Sequence, residues 1–163
     1  DAGVIKMIEV NDKLPSAQFQ YFKDGEMVTA TTEDLFAGKK VVLFAVPGAF
    51  TPTCSNSHLP GYVVKFDELK SKGVDEVICL SVNDAFVMDA WGKANNAENL
   101  IMLADGAAEF TSAIGLEAET GIFGGVRSRR YALIADDGVV TLLNVEAPKE
   151  FQVSDADTIL VAL

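Results

Sequence analysis

The chain has 163 residues, 49% of them apolar, enough for one well-buried core and too few for two comfortable ones, so a single domain over residues 1–163 is expected. With 24 acidic against 13 basic residues the net charge is −11, which repels duplex nucleic acid and anionic membrane surfaces on average and argues against partners of either kind. The apolar run over 41–50 is broken by Pro47 and Gly48 and stops short of the roughly 18 residues that a spanning helix needs.

Gln18–Phe22 and Val28–Ala30 flank Lys23-Asp24-Gly25-Glu26, an Asp-Gly turn signal, and predict an N-terminal hairpin. Thr31–Gly38 reads as one capped helical turn that ends on glycine. Lys40–Val46 is apolar after its lysine and rich in β-branched residues, as a buried strand is. From Thr53 to Lys72 the spacing of Leu59, Val63, Val64, Phe66 and Leu69 suits a helix that Gly73 stops. Pro60 inside that pattern removes a backbone bond, so a kink near Ser57–Leu59 is expected to uncouple the first turn in part from the rest. Glu76–Val82 is a further strand, Ala85–Lys93 an amphipathic helix, Leu100–Leu103 a strand, and Ala107–Ile114 a short helix.

Gly115–Val126 is a glycine-rich loop of a length more often functional than merely connecting. Tyr131–Ala135 and Val139–Val145 form a hairpin around Asp136-Asp137-Gly138, and Ser154 with Asp157 predicts a capping box for a last helix to Leu163. The alternation implies an α/β chain: a mixed central sheet with helices on both faces and an N-terminal hairpin.

Cys54 and Cys79 make no disulfide framework, so a reducing compartment is expected: cytoplasmic, or alternatively an organelle stroma or matrix after removal of a transit peptide. The first ten residues carry no basic and then apolar targeting pattern. One histidine and no Cys-x-x-Cys leave too few ligands for a structural zinc site.

The chemistry concentrates at Cys54. It follows Pro47-Gly48-Ala49-Phe50-Thr51-Pro52-Thr53, where a helix begins, with Thr51 or Thr53 as N-cap, and the positive end of a helix favours an ionised sulfur. A polar Thr-Pro-Thr turn is a poor place for an inert core thiol, whereas Cys79 in Val77-Ile78-Cys79-Leu80 reads as core. All three arginines, Arg127, Arg129 and Arg130, fall within four residues of an acidic chain that has ten lysines elsewhere. A permanently charged planar fork beside a thiolate is one reading and a surface cluster balancing local acids is the other. His58 lies four residues after Cys54 on the same helix face, where a cysteine hydrolase could use it as base, but Pro60 and the missing orienting residue favour local pairing with backbone or solvent.

Pro47-x-x-x-Thr51-x-x-Cys54, with Cys79–Met88, Gly125–Tyr131 and Leu143–Glu146 in the same order along the chain, resembles the peroxiredoxins, and the wording Pro-Gly-Ala-Phe-Thr-Pro-Thr-Cys-Ser resembles their type II, peroxiredoxin-5-like subfamily. The resemblance implies a thioredoxin-like fold and a thiol-dependent peroxidase with no metal or organic cofactor. Hydrogen peroxide or an organic hydroperoxide would convert Cys54 to a sulfenic acid. It implies that Thr51 orients the peroxide, Pro47 shields the thiolate side of the pocket and Arg130 is the pocket arginine, with Arg127 behind it and Arg129 facing solvent. It also implies a homodimer packed near Phe50 and the Gly121–Gly125 loop. No cysteine follows Cys79, so recycling is expected from an external thiol, glutathione, glutaredoxin or thioredoxin, unless Cys79 can reach Cys54. A protein-disulfide oxidoreductase, a cysteine hydrolase and a non-catalytic interaction module are the rival readings.

Overall fold

In a computed structural model that describes residues 6–163, the Asp-Gly signal closes the expected hairpin. β1 (Gln18–Lys23) and β2 (Glu26–Thr31) pair antiparallel across Asp24 and Gly25, both with positive φ, as a turn matching the strand twist requires. α1 (Thr32–Phe36) follows with a complete capping box between Thr31 and Asp34.

β3 (Lys40–Val46) is an interior strand of the sheet, and its apolar run has no polar alternation because both its faces are covered. Val42, Phe44 and Val46 enter one core with Leu59, Tyr62, Met88, Trp91 and Ile159. Val41, Leu43 and Ala45 enter the other, with Leu35, Phe36 and Phe110. Two parallel crossovers lead from β3 through the cysteine-bearing helix to β4 (Glu76–Ser81), and through α4 (Ala85–Ala94) to β5 (Ile101–Ala104). The closing hairpin then adds β8 (Tyr131–Asp136) and β9 (Val139–Val145) antiparallel on the other side of β3, giving the mixed order β2-β1-β5-β4-β3-β8-β9 with helices on both faces.

The cysteine helix departs from expectation. Helical geometry starts at Pro52, with proline at the first helical position, but Cys54–His58 is a π turn in which Leu59 N–H reaches back to the Cys54 carbonyl. Pro60 has no N–H for a normal register, so the misfit is taken up as a wide turn upstream of it. Helix continues as α2 (Leu59–Val64) and, after a break at Lys65, α3 (Phe66–Ser71). Neither threonine caps this helix with its side chain: Thr51 accepts Ser55 N–H through its carbonyl and Thr53 makes no capping bond.

α4 (Ala85–Ala94) is capped by Asp84, which accepts from Val87 N–H. After β5 (Ile101–Ala104), the expected helix over 107–114 shrinks to α5 (Glu109–Ala113), because Ala108 has φ 57° and buried Asp105 instead receives Phe110 and Thr111 N–H. The loop over 115–126 contains a small ribbon of β6 (Glu117–Glu119) and β7 (Val126–Ser128) joined by a 3₁₀ turn at Gly121–Phe123. β8 (Tyr131–Asp136) and β9 (Val139–Val145) follow. The last helix, α6 (Ala156–Val161), is capped by Asp155 rather than Ser154, whose hydroxyl is given to Glu146. No helix among the described residues is long and apolar enough to cross a membrane.

Candidate active site

Ala45 on β3 opposes Tyr131 on β8, so the residue before Tyr131 stands beside the end of β3, from which the cysteine loop departs. This register brings together two residues that lie 76 apart in sequence. Arg130 Nη2 donates to Cys54 Sγ at 2.9 Å, and its Nη1 donates to His58 Nδ1 at 2.7 Å. A planar fork holds two targets at fixed angles, which a single ammonium does not.

His58, for which the sequence favours local pairing, is the second partner of the Arg130 fork. It is fully buried, with Nε2 3.0 Å from the Ser154 carbonyl. A carbonyl only accepts and a guanidinium only donates, so the hydrogen sits on Nε2 and the lone pair on Nδ1 faces Arg130. Burial, and then the charge of Arg130, push its pKa down to about 3, so the imidazole is neutral. Its lone pair is spent on Arg130 and not on Cys54, which removes the hydrolase reading's general base. The sequence signal was present as the i, i+4 spacing of the one histidine from the cysteine.

The loop before Cys54 is tied down by short contacts. Ala49 N–H donates to Asn83 Oδ1 at 3.1 Å, which anchors the loop to the end of β4. Thr51 Oγ1 donates to the Gly48 carbonyl at 2.7 Å, which leaves its lone pairs to accept. Trp91 Nε1 donates to Ser55 Oγ at 3.0 Å and so ties the π turn to α4.

A cavity of about 390 Å³ opens at this end of the sheet, with Pro47, Thr53, Ala118, Arg130, Ala147 and Pro148 in its wall. Cys54 and Thr51 do not line it, and the sulfur is fully buried. A larger groove of about 710 Å³ runs between Asn56–Lys65 and Phe151–Thr158, and none of Cys54, Thr51, Pro47 or Arg130 borders it. Size therefore does not locate the chemistry here.

The other arginines also have definite partners. Arg127 donates to the carbonyls of Gly124 (3.0 Å) and Val82 (3.2 Å), pinning the 3₁₀ loop to the sheet. Arg129 is half-buried in the wall of the mouth and donates to the Glu146 carbonyl at 3.3 Å, whereas the sequence placed it toward solvent. Among the described residues no ion pair with a carboxylate involves any of the three, against the reading of a cluster balancing local acids. Cys79 is packed in the core opposite Phe44, and burial pushes its thiol well up, as expected of a structural cysteine.

Comparison with known proteins places the chain in a wider group. The Redoxin family matches residues 9–160. Peroxiredoxin-2B of Arabidopsis thaliana is 54% identical over 159 residues, covering 96% of this chain and 98% of its own. Peroxiredoxin-2E-2, chloroplastic, of Oryza sativa subsp. japonica is 52% identical over 169 residues, covering 98% of this chain and 74% of its own. Among solved structures, reduced Prx3 from Vibrio vulnificus in complex with hydrogen peroxide superposes with a TM-score of 0.94 at 62% identity, covering 96% of this chain and 99% of that one.

Proposed function

The chain belongs to the peroxiredoxins and is a thiol peroxidase, and on that premise we propose that Cys54 is the peroxide-reacting sulfur, with Arg130, Thr51 and Pro47 forming its site. The observation that carries the assignment is the Arg130 fork, which touches the buried sulfur and a neutral imidazole at once. In the reaction, the Cys54 thiolate attacks the terminal oxygen of the hydroperoxide, an S–O bond forms, the O–O bond breaks, and water or an alcohol leaves after taking a proton. Arg130 stabilises the charge shared between sulfur and the breaking bond. The Thr51 hydroxyl, already donating to Gly48, accepts from the peroxide proton, and Pro47 closes the thiolate side.

Hydrogen peroxide and small organic hydroperoxides fit a mouth whose wall includes Pro47, Ala118, Ala147 and Pro148. Cys79 sits inside the sheet's core, which favours an external thiol for recycling: glutathione, directly or through glutaredoxin, or thioredoxin. That thiol displaces the sulfenic oxygen as water, and a second thiol frees Cys54. Such recycling suits a reducing compartment, cytoplasmic or organellar, and two of the relatives are chloroplastic by name. Residues 1–163 act as one domain. After one equivalent of peroxide, mass spectrometry of the intact chain is expected to show one added oxygen at Cys54, replaced by a glutathionyl group when glutathione is present. Cys54→Ser is expected to abolish peroxide consumption, and a serine variant as active as the parent would overturn the assignment.

We also read the protein as a homodimer. Phe50, with φ 63°, and Phe123 are 56% and 64% exposed, and Ile122 is fully exposed. Arg127 joins their two loops, because it is bonded to Gly124 while its guanidinium lies against Gly48. Exposed apolar side chains on two adjoining loops are costly in water unless covered. Analytical ultracentrifugation at micromolar concentration is expected to show a dimer and Phe123→Asp to shift it to monomer. A parent chain that stays monomeric at every concentration would contradict the reading.

A further inference from the structure

Glu146 follows β9 and is a buried residue. Burial raises its pKa, but hydrogen bonds from Ser154 and from the backbone of Gln152 and Val153 outweigh that and leave it below the usual value. All its side-chain donors come from the segment that returns from β9 to α6. They are Gln152 N–H (2.9 Å), Val153 N–H (2.9 Å), Ser154 N–H (2.8 Å) and the Ser154 hydroxyl (2.7 Å). The carbonyl of the same Ser154 receives His58 Nε2–H at 3.0 Å and the Tyr62 hydroxyl at 2.7 Å. From His58 the chain of bonds continues to Arg130 and Cys54. The loop is closed at the other end, because Glu146 N–H donates to the Arg130 carbonyl at 2.9 Å. Phe151, in the same strap, packs its ring against His58 (4.9 Å between centroids) and lies 5.9 Å from Arg130 Cζ.

The structure assigns to Glu146 the part of a positioning residue: it holds the strap 147–154, and through the Ser154 carbonyl and His58 it sets the orientation of the Arg130 fork at Cys54. The backbone of Arg130 and its guanidinium are thus both referred to one residue, the first through the Glu146 N–H and the second through the Glu146 carboxylate, Ser154 and His58. All four donors converge on one carboxylate oxygen, Oε2, with the Gln152 N–H shared with Oε1, and the negative charge on that oxygen is what lets it hold them together. The inference extends the peroxidase reading for its kinetic consequence, whereas the imidazole readout below does not depend on that reading.

The test uses the full reduced chain and the variants Glu146→Ala, Glu146→Gln and Ser154→Ala. Two quantities are measured: the second-order rate of Cys54 oxidation by hydrogen peroxide, followed by Trp91 fluorescence, and the ¹⁵N signals of His58, which report its tautomer. In the parent, His58 is expected as the neutral Nε2–H form. Glu146→Ala is expected to slow oxidation on the order of tenfold or more and to mix the tautomers, because the fork is no longer pre-aimed. Glu146→Gln, which keeps one acceptor oxygen, and Ser154→Ala, which removes one donor and keeps the carbonyl, are expected between parent and alanine variant on both readouts. Folded variants that oxidise as fast as the parent with unchanged His58 signals would overturn the assignment, as would slowed oxidation with those signals unchanged. If Glu146→Ala does not fold, Ser154→Ala carries the same comparison. A parent that consumes no peroxide would sink the peroxidase reading alone, leaving the ¹⁵N comparison to decide this one.

Discussion

Replacing Arg130 by lysine is expected to slow oxidation of Cys54 by about two orders of magnitude while leaving the fold intact, because the loss falls on stabilisation of the breaking peroxide bond. The positive charge remains in the variant. What disappears is the geometry in which one nitrogen meets Sγ at 2.9 Å and the other meets the His58 lone pair at 2.7 Å. An ammonium on a flexible stem reaches one of these at a time, and the other is left buried without its donor. Stopped-flow oxidation by hydrogen peroxide measures the effect. A lysine variant within threefold of the parent would show that only charge matters at this position and would remove the fork from the mechanism.

Acid is expected to unfold the protein through His58. The imidazole takes up its proton near pH 6.5 in the unfolded chain and only at about 3 in the folded one. Between these values the unfolded state binds more protons, so stability is fully present above pH 6.5 and falls as pH drops through the window. The slope is about 1.4 kcal/mol per pH unit, and the loss over the window is of order 4 kcal/mol, a large part of a typical domain's stability. Glu146 acts with the same sign, since its depressed pKa makes its contribution vanish as acid protonates it. Urea denaturation of the parent and of His58→Gln between pH 7 and pH 4 separates the two. Glutamine can donate to the Ser154 carbonyl and accept from Arg130 as histidine does, but it does not titrate. The variant is therefore expected to lose the histidine's share of the slope. Equal slopes in both proteins would show that His58 does not titrate in this window.

Much of the architecture was legible because it rests on local patterns. The two Asp-Gly turns mark both hairpins, the uninterrupted run Val41–Val46 marks a strand covered on both faces, and Pro47-x-x-x-Thr51-x-x-Cys54 marks the turn that carries the buried thiol. The motif names its cysteine because a thiol at a helix start is a local arrangement, legible in a few residues. The clustering of Arg127, Arg129 and Arg130 was equally visible, and it singled out the segment that meets Cys54.

What the sequence did not determine depends on pairings between distant segments. The irregularity anticipated from Pro60 became a π turn at Cys54–His58, because Leu59 N–H found a carbonyl five residues back where four would be regular. Ser154 read as a cap and became the anchor of a strap, since a buried carboxylate eight residues earlier outcompeted the helix for its hydroxyl. His58 read as a locally paired side chain, and the value of its lone pair appeared only when antiparallel register placed Arg130 beside it. Spacing along the chain singled out the candidate residues. Their orientation was decided by tertiary structure alone, because hydrogen bonds are satisfied in three dimensions by whichever buried partner the packing of the sheet brings within about 3 Å.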